Sequence, residues 1–231
     1  MLRNKFTKRP TRRATVNVNL GTLSAYRLDS VELVLTKCVV KSDFMSVYMG
    51  MLDKQVVAVK QLQSGDIAIL ELFVKEITLQ SSLKGPRVVD YLGACWNDPF
   101  DMKCVMEYMD CGDLKSILAS HKSSAFPWDH KLKCVQEIVH GLKYIHQLPR
   151  VHGALRSKNV LLDTSKGAKL TNFYVLGAPL AARAYQWAAP EVLSSNRFSA
   201  SADIYSLGVI LWELESHKVP FADLKNDRTG K

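Results

Sequence analysis

The hydrophobic pattern changes its period along the chain, and this change limits the folds that the chain can adopt. Short apolar runs rich in β-forming residues come first and alternate with a stretch of helical spacing at residues 67–83. The β-like runs are VELVL (31–35), VYMGML (47–52), VVAVK (56–60), VVDYLG (88–93) and KCVMEYM (103–109). The pattern predicts a β-rich first part that contains one helix.

The second part of the chain is predicted to be mainly helical. Residues 130–148 repeat apolar side chains on one helix face, which is typical of a helix that covers a core. Residues 202–214 are apolar nearly all round, as in a helix at the centre of a domain. Ser199 and Ser201 precede that helix as candidate N-caps. Together the two parts predict an α+β fold with a small β-rich lobe and a helical lobe.

The basic charge is concentrated at the N-terminus. Seven Lys and Arg residues and no acidic residue precede Asp29, so subtracting seven from the net charge of +9 leaves about +2 elsewhere. Residues 1–28 are therefore predicted to be a disordered basic arm that could contact acidic surfaces, in front of a domain over 29–231. The Arg- and Thr-rich, acid-free composition is also typical of an organellar presequence, which stays an alternative.

The cysteines and the apolar runs indicate a location and exclude some classes of protein. The five cysteines are scattered and lack CxxC spacing, which favours free thiols in a reducing compartment over disulfides or a zinc site. A cytoplasmic location follows as a prediction. No stretch of about 20 apolar residues occurs, so no transmembrane segment is predicted. No motif for specific nucleic-acid recognition accompanies the basic arm.

Five segments, taken in order, resemble a eukaryotic protein kinase domain. Within that family they are most similar to the tyrosine-kinase-like (TKL) group of serine/threonine kinases. They are VAVK (57–60), VMEYMDCGDL (105–114), VHGALRSKNVLLD (151–163), KLTNFY (169–174) and AAPE (188–191). The resemblance implies a bilobal fold. Its N-lobe would cover about 29–105, its hinge about 106–112 and its C-lobe about 113–231.

The family continues through several more helices after the point that KVPFADL (218–224) matches. We therefore expect a truncated C-lobe that lacks its last helices. The apolar helix at 202–214 would then expose a large patch. Two interpretations stay open, a fragment of a longer protein and a face that a partner protein covers.

The resemblance implies a nucleotide site built around Lys60, which matches the lysine that binds ATP phosphates and a helix glutamate. Glu76 is the best candidate for that glutamate, and Glu71 on the same helix is the alternative. Further residues match the family's adenine pocket. They are Val47, Ala58 and Leu161 as apolar walls, Met106 as gatekeeper, and Glu107, Tyr108 and Met109 as hinge backbone. The apolar members could equally be ordinary core residues.

The segment that matches the glycine-rich loop has lost its glycines. Val40, Ser42 and Met45 stand at the three glycine positions, and Phe44 keeps the aromatic at the tip. Glycine lets the backbone approach phosphates closely, which a Cβ atom hinders. We expect a hairpin that binds phosphate poorly.

The segment that matches the catalytic loop has lost its general base. The family carries an Asp that accepts the substrate hydroxyl proton, and this chain has Ala154 there. Gly153 replaces the preceding Arg, whereas His152 and Asn159 match, and Arg156 stands where many serine/threonine kinases carry a lysine. Loss of a positioned base typically lowers a rate by roughly 10²–10⁴.

The metal-binding motif has changed as well. Asn172 replaces the Asp that holds Mg²⁺, and Tyr174 replaces the glycine two residues later. Mg²⁺ prefers charged oxygen ligands, so Asn159 and Asn172 together would hold it weakly at best. In contrast, scaffold residues match the family at four positions. They are His152, Phe173, Glu191 and Asp203.

These substitutions predict a pseudokinase, a kinase-fold protein that binds nucleotide or protein partners as a regulator in signalling. ATP is the candidate cofactor, and Mg²⁺ is not expected to bind well. Two alternatives stay open. One is a working ATP-dependent serine/threonine kinase with deviant motifs, and the other is a truncated, non-functional fragment.

Overall fold

A computed structural model describes residues 19–120, 125–178 and 184–222. Within these ranges the strands are β1 (Leu33–Lys41), β2 (Met45–Leu52), β3 (Gln55–Leu62), β4 (Tyr91–Cys95), β5 (Lys103–Glu107), β6 (Gly112–Asp113), β7 (Val160–Asp163) and β8 (Gly167–Leu170). The α-helices are α1 (Gly21–Ser24), α2 (Ile67–Ser82), α3 (Leu114–Ser120), α4 (Trp128–Gln147), α5 (Pro190–Ser195) and α6 (Ala200–Ser216). Short 3-10 helices lie at Pro99–Asp101, Ser157–Asn159 and Tyr185–Trp187.

The N-lobe is an antiparallel sheet in the order β1-β2-β3-β5-β4. In its register Lys60 lies opposite Val47, and Ala58 lies opposite Met106. Because side chains alternate along a strand, these four residues share one face of the sheet. Val57, Val59 and Val105 point to the other face, where they form a fully buried cluster.

Helix α2 packs on the face that carries Lys60. It begins at an N-cap, where the side chain of Asp66 accepts a hydrogen bond from the Ala68 N–H at 2.7 Å. Leu70, Phe73 and Ile77 are buried in the core between the helix and the sheet. This packing fixes the rotation of α2 about its axis and so places Glu76.

Part of the predicted disordered arm is instead packed against the N-lobe. Leu23 in α1 is completely buried in the same core as α2, and Arg27 forms a bridge to Ala94 in β4. The Leu28 N–H also donates to the Ala94 carbonyl at 2.9 Å. The prediction of disorder is therefore wrong for residues 19–28, because Leu20, Leu23 and Leu28 pack against the N-lobe; residues 1–18 lie outside the described ranges.

The C-lobe is built on α4 and α6. Ile138, Leu142 and Ile145 of α4 share a core with Ile210 and Leu214 of α6. The small sheet β6-β7-β8 adds its apolar face to this core. The predicted N-cap is confirmed, since the Ser199 side chain accepts from the Ala202 N–H at 3.1 Å. The bilobal α+β fold expected from the sequence is confirmed too.

One predicted strand starts later than expected. The run 88–93 predicts a strand from Val88, whereas β4 begins at Tyr91. Val88 and Val89 pair instead with Leu170 of β8, where the Val89 N–H donates to the Leu170 carbonyl at 3.0 Å. This short pairing joins the two lobes behind the cleft. Of the helices in the described ranges, none combines the length and apolarity that a bilayer crossing requires.

Candidate functional site

The cleft between the lobes contains an ion pair between Lys60 on β3 and Glu76 on α2. The Lys60 ammonium contacts Glu76 Oε1, and it also donates to Asn172 Oδ1 at 3.2 Å. Glu71, the alternative partner, is exposed and lies among residues that line a groove on the outer side of α2. The structure therefore brings Lys60 and Glu76 together and leaves Glu71 outside the cleft.

The two asparagines predicted at the metal site are bonded to each other. Asn172 Nδ2 donates to Asn159 Oδ1 at 3.2 Å, and Asn159 Nδ2 donates to the Ala154 carbonyl at 2.7 Å. With the Lys60 contact, both amide oxygens already accept a hydrogen bond from the protein. Asn172 has φ +57°, a left-handed conformation that asparagine adopts more readily than most residues.

This arrangement does not fit Mg²⁺. The ion requires near-octahedral oxygen ligands and usually at least one carboxylate, whereas the two side chains here are neutral and engaged. A cation between them would also lie close to the Lys60 ammonium, which occupies the Asn172 oxygen. Within the described ranges, no group of three or more His, Cys, Asp and Glu side chains could hold a metal ion.

The position of the general base carries no group that can accept a proton. The methyl of Ala154 replaces it, and the Ala154 N–H donates to His152 Nδ1 at 3.3 Å. Arg156 follows in the same loop, where burial lowers the pKa of its guanidinium and the neighbouring Asp113 opposes that effect. Arginine stays protonated in proteins, so Arg156 supplies a positive charge and cannot act as a base.

The loop is held from below by Asp203 at the start of α6. Asp203 is almost completely buried, and it accepts hydrogen bonds from the backbone N–H groups of His152 and Gly153, both at 2.8 Å. His146 Nε2 lies 2.8 Å from the same carboxylate. The sequence indicates Asp203 through its match to the family, but it gives no signal for His146.

His152 belongs to the packing of the loop. Its ring is completely buried and lies 4.7 Å from the ring of Phe173, which is itself buried in the C-lobe core. Burial lowers the pKa of His152 to about 4, although Asp203 opposes this shift. The imidazole is therefore neutral near pH 7 and contributes shape.

Tyr174 fills the space that a side chain at position 153 would need. A Cβ atom at Gly153 would lie 2.7 Å from Tyr174 Cβ, and Gly153 has φ +66°. Tyr174 stacks on Phe198 with ring centroids 4.0 Å apart, and its N–H donates to the His152 carbonyl at 2.8 Å. Replacement of an arginine by glycine at 153 thus makes room for a tyrosine in place of a glycine at 174.

The turn that replaces the glycine-rich loop is closed by its own hydrogen bonds. The Ser42 N–H and Oγ donate to the Met45 carbonyl at 2.9 and 2.8 Å, and the Met45 N–H donates to Ser42 Oγ at 3.1 Å. The Met45 side chain packs against the N-lobe core, whereas Phe44 at the tip is exposed. The predicted hairpin therefore forms, with a serine side chain at its centre.

The residues predicted to surround adenine lie on surfaces that face the cleft. Val47, Ala58 and Met106 are half-buried on the Lys60 face of the sheet. Leu161 on β7 is half-buried too, and it points away from the C-lobe core because its neighbours on the strand pack into that core. These four residues thus stay the predicted walls of an adenine pocket.

A buried ionic cluster lies behind the hinge, and the sequence reasoning missed it. Lys169 on β8 bonds to Glu107 at 2.5 Å and to Asp90 at 3.2 Å, and both Lys169 and Glu107 are buried. Lys166 lies 3.4 Å from the same glutamate and donates to the Tyr108 carbonyl. The sequence offered one signal for this cluster, the single lysine Lys169 in a short apolar strand. A buried cation requires an acidic partner, so such a lysine indicates an ion pair.

Two further glutamates lie away from the cleft. Glu213 on α6 accepts hydrogen bonds from Ser157 Oγ and Trp187 Nε1, both at 2.7 Å. Burial raises the pKa of Glu213, and these two hydrogen bonds oppose the rise. Glu191 lies in the first turn of α5 and is partly exposed, so it belongs to the scaffold outside the predicted adenine pocket.

Comparison with known proteins agrees with this geometry. Residues 33–231 match the family model described as protein tyrosine and serine/threonine kinase. The probable serine/threonine-protein kinase drkB of Dictyostelium discoideum is 33% identical over 204 residues, which are 84% of this chain and 29% of that protein.

Two other relatives give the same picture. The probable serine/threonine-protein kinase drkA of Dictyostelium discoideum is 35% identical over 191 residues, which are 78% of this chain and 29% of the length of that protein. The human serine/threonine-protein kinase TNNI3K is 28% identical over 223 residues, 89% of this chain and 26% of its own. The chain thus spans less than a third of the length of these relatives.

Proposed function

Because the chain belongs to the protein tyrosine and serine/threonine kinase family, we propose that it is a pseudokinase, a member with the kinase fold that does not transfer phosphate. It would act as a nucleotide-binding or protein-interaction regulator in signalling. The tyrosine-kinase-like assignment and the cytoplasmic location stay predictions.

The observation that carries this proposal is the bonding of Asn159 and Asn172 to each other above Ala154. Phosphoryl transfer depends on metal ions that neutralise developing charge and on a residue that orients the attacking hydroxyl. Here a methyl stands in place of the base, and both amide oxygens are engaged by protein donors. The chain therefore lacks two separate requirements of phosphoryl transfer.

Two observations support a regulatory role. The Lys60–Glu76 pair links α2 to the sheet, which orders the helix in the N-lobe. Helix α6 exposes a row of large apolar side chains that a protein partner could cover, which supports the expectation of a protein partner. They are Ile204, Tyr205, Leu211 and Trp212.

Phosphate transfer from Mg²⁺–ATP to a generic protein substrate tests the proposal. We expect no transfer above background from the wild-type chain. The double variant Ala154→Asp, Asn172→Asp restores a base and a carboxylate, so it should transfer phosphate at about 10²-fold or more above background. Transfer by the wild-type chain that Lys60→Met abolishes would favour the alternative, a working serine/threonine kinase with deviant motifs.

A further inference from the structure

The two ends of the cleft differ in the ligand chemistry that they can accommodate. The inner end, near the hinge, carries the half-buried apolar residues Val47, Ala58 and Met106 on the N-lobe sheet and Leu161 on β7. The outer end is formed by the Ser42 turn and by the two bonded asparagines. Recognition of a base and recognition of phosphates therefore depend on separate sets of residues.

The hinge backbone leaves a donor available to a base. The Tyr108 carbonyl accepts a hydrogen bond from the Lys166 ammonium, and the Met109 carbonyl accepts one from the Gly112 N–H at 3.3 Å. The Met109 N–H, in contrast, donates to no partner among residues 19–120, 125–178 and 184–222. A heteroaromatic ring with an acceptor at its edge would satisfy this group.

The turn at the outer end has fewer N–H groups available to phosphates than an open loop would have. Backbone N–H groups bind phosphates when they point outward without a partner. In this turn the N–H groups of Ser42 and Met45 already bond to oxygens of the same turn. Val40, at another former glycine position, exposes a branched apolar side chain beside it.

The charge at the outer end does not compensate phosphates either. A phosphate monoester carries a charge of about −1.5 to −2 near neutral pH. The Lys60 ammonium already contacts Glu76 and donates to the Asn172 oxygen. Because Mg²⁺ does not fit the asparagine pair, a triphosphate would lose hydration without gaining the dication that its charge requires, and Lys60 and Arg156 carry only one positive charge each.

We propose that the cleft binds an adenine nucleoside, a purine with an uncharged sugar, without metal, and that added phosphates weaken binding. This inference rests on the proposed function, because it takes the cleft as the nucleotide site, and it narrows the ligand class there. The apolar residues and the Met109 N–H would bind the adenine ring. The sugar would lie towards the outer end of the cleft, where the contacts for phosphates are missing.

Calorimetric titration of the whole chain with adenosine, AMP, ADP and ATP, each with Mg²⁺ and with EDTA, tests this. We expect adenosine to bind at least about tenfold more tightly than ATP, a difference of about 1.4 kcal/mol. Mg²⁺ should change the ATP affinity by less than about twofold, because no carboxylate is present to hold the ion.

Two variants keep the test decisive. Ala58→Phe fills the predicted adenine pocket beside Met106 and should abolish adenosine binding while a cooperative thermal melt shows that the chain still folds. The triple variant Val40→Gly, Met45→Gly, Asn172→Asp should move the preference toward ATP with Mg²⁺ by about tenfold or more, because it restores backbone approach and a carboxylate.

Tighter binding of Mg²⁺–ATP than of adenosine by the wild-type chain would overturn the inference, as would adenosine binding that survives Ala58→Phe. A folded chain that binds none of the four ligands would also overturn it. The phosphate-transfer assay is independent of these results, so it tests the loss of catalysis whichever ligand binds.

Discussion

The two sides of the loop at residues 152–159 differ in the groups that they contact. On the side facing α6, the buried carboxylate of Asp203 holds two backbone N–H groups of the loop at 2.8 Å and meets His146. On the side facing the cleft, Ala154 is a methyl and Asn159 bonds to a second amide. The same short segment is thus held by a buried carboxylate of α6 on one side, and on the other it presents a methyl where the family carries a carboxylate.

The difference separates the requirements of folding from those of phosphoryl transfer. Asp203, His152 and Phe173 are buried, so replacing any of them would leave an unpaired group or a cavity in the core. Ala154 and Asn172 are half-buried at the cleft, where a small neutral side chain costs little stability. Selection for the fold alone would therefore retain the first group and release the second.

The largest effect is expected at the anchor. Asp203→Ala leaves the His152 and Gly153 N–H groups without their acceptor, so it should lower the free energy of unfolding by about 3–5 kcal/mol. Urea denaturation followed by circular dichroism measures this loss. Lys60→Met, on the cleft side, is the matched change, and we expect it to cost less than Asp203→Ala, because the Glu76 side chain that it leaves unpaired keeps 26% exposure to water. Equal losses from the two variants would contradict the separation.

A smaller effect is expected from pH. Because the pKa of His152 falls to about 4 in the folded protein and is about 6.5 unfolded, only the unfolded state gains this proton between those values. The contribution of His152 to the free energy of unfolding should be fully present above pH 6.5. It should decrease as the pH is lowered, by about 2 kcal/mol at pH 5. Urea denaturation at pH 7 and pH 5 measures the change.

His152→Phe is the comparison variant for the pH experiment. It removes the titrating ring and should flatten the dependence, whereas groups such as Glu213 remain in both proteins. The raised pKa of Glu213 acts in the opposite direction, because the folded state then binds a proton more readily than the unfolded state. An unchanged slope in His152→Phe would show that His152 does not titrate as its burial implies.

Much of the fold could be predicted because its elements carry periodic patterns. The helix predicted at 67–83 is observed as Ile67–Ser82, and that at 130–148 as Trp128–Gln147. Residues 19–28 could not be placed, because their three leucines, Leu20, Leu23 and Leu28, are too few to set a period and their burial depends on distant elements. The late start of β4 has the same cause, since Val88 pairs with Leu170 in the other lobe.

The candidate site could be predicted where it matches a motif and not where it depends on neighbours. Lys60 and Glu76 are 16 residues apart, yet their pairing follows from the family pattern. The pairing of Asn172 with Asn159 and the contact of His146 with Asp203 are specific to three-dimensional packing. Substitutions in a sequence show which chemistry is lost, and the structure shows which new bonds take its place.

The smallest effect concerns Gly153 and Tyr174, which lie on the boundary between the two sides. Gly153→Ala adds a Cβ atom 2.7 Å from Tyr174 Cβ at a backbone φ of +66°, so it carries both an overlap and a conformational cost. Tyr174→Gly removes the overlapping atom. The double variant should therefore be more stable than the sum of the single losses predicts, by about 1 kcal/mol.

Urea denaturation of the four proteins gives this coupling free energy. Tyr174→Ala provides the control, because it removes the ring that stacks on Phe198 but keeps the Cβ atom that meets position 153. The coupling should appear with Tyr174→Gly and nearly vanish with Tyr174→Ala. Equal coupling in both cycles would mean that the ring, and not the close backbone approach, links the two substitutions. Additive losses in both would mean that the residues at 153 and 174 are not energetically coupled.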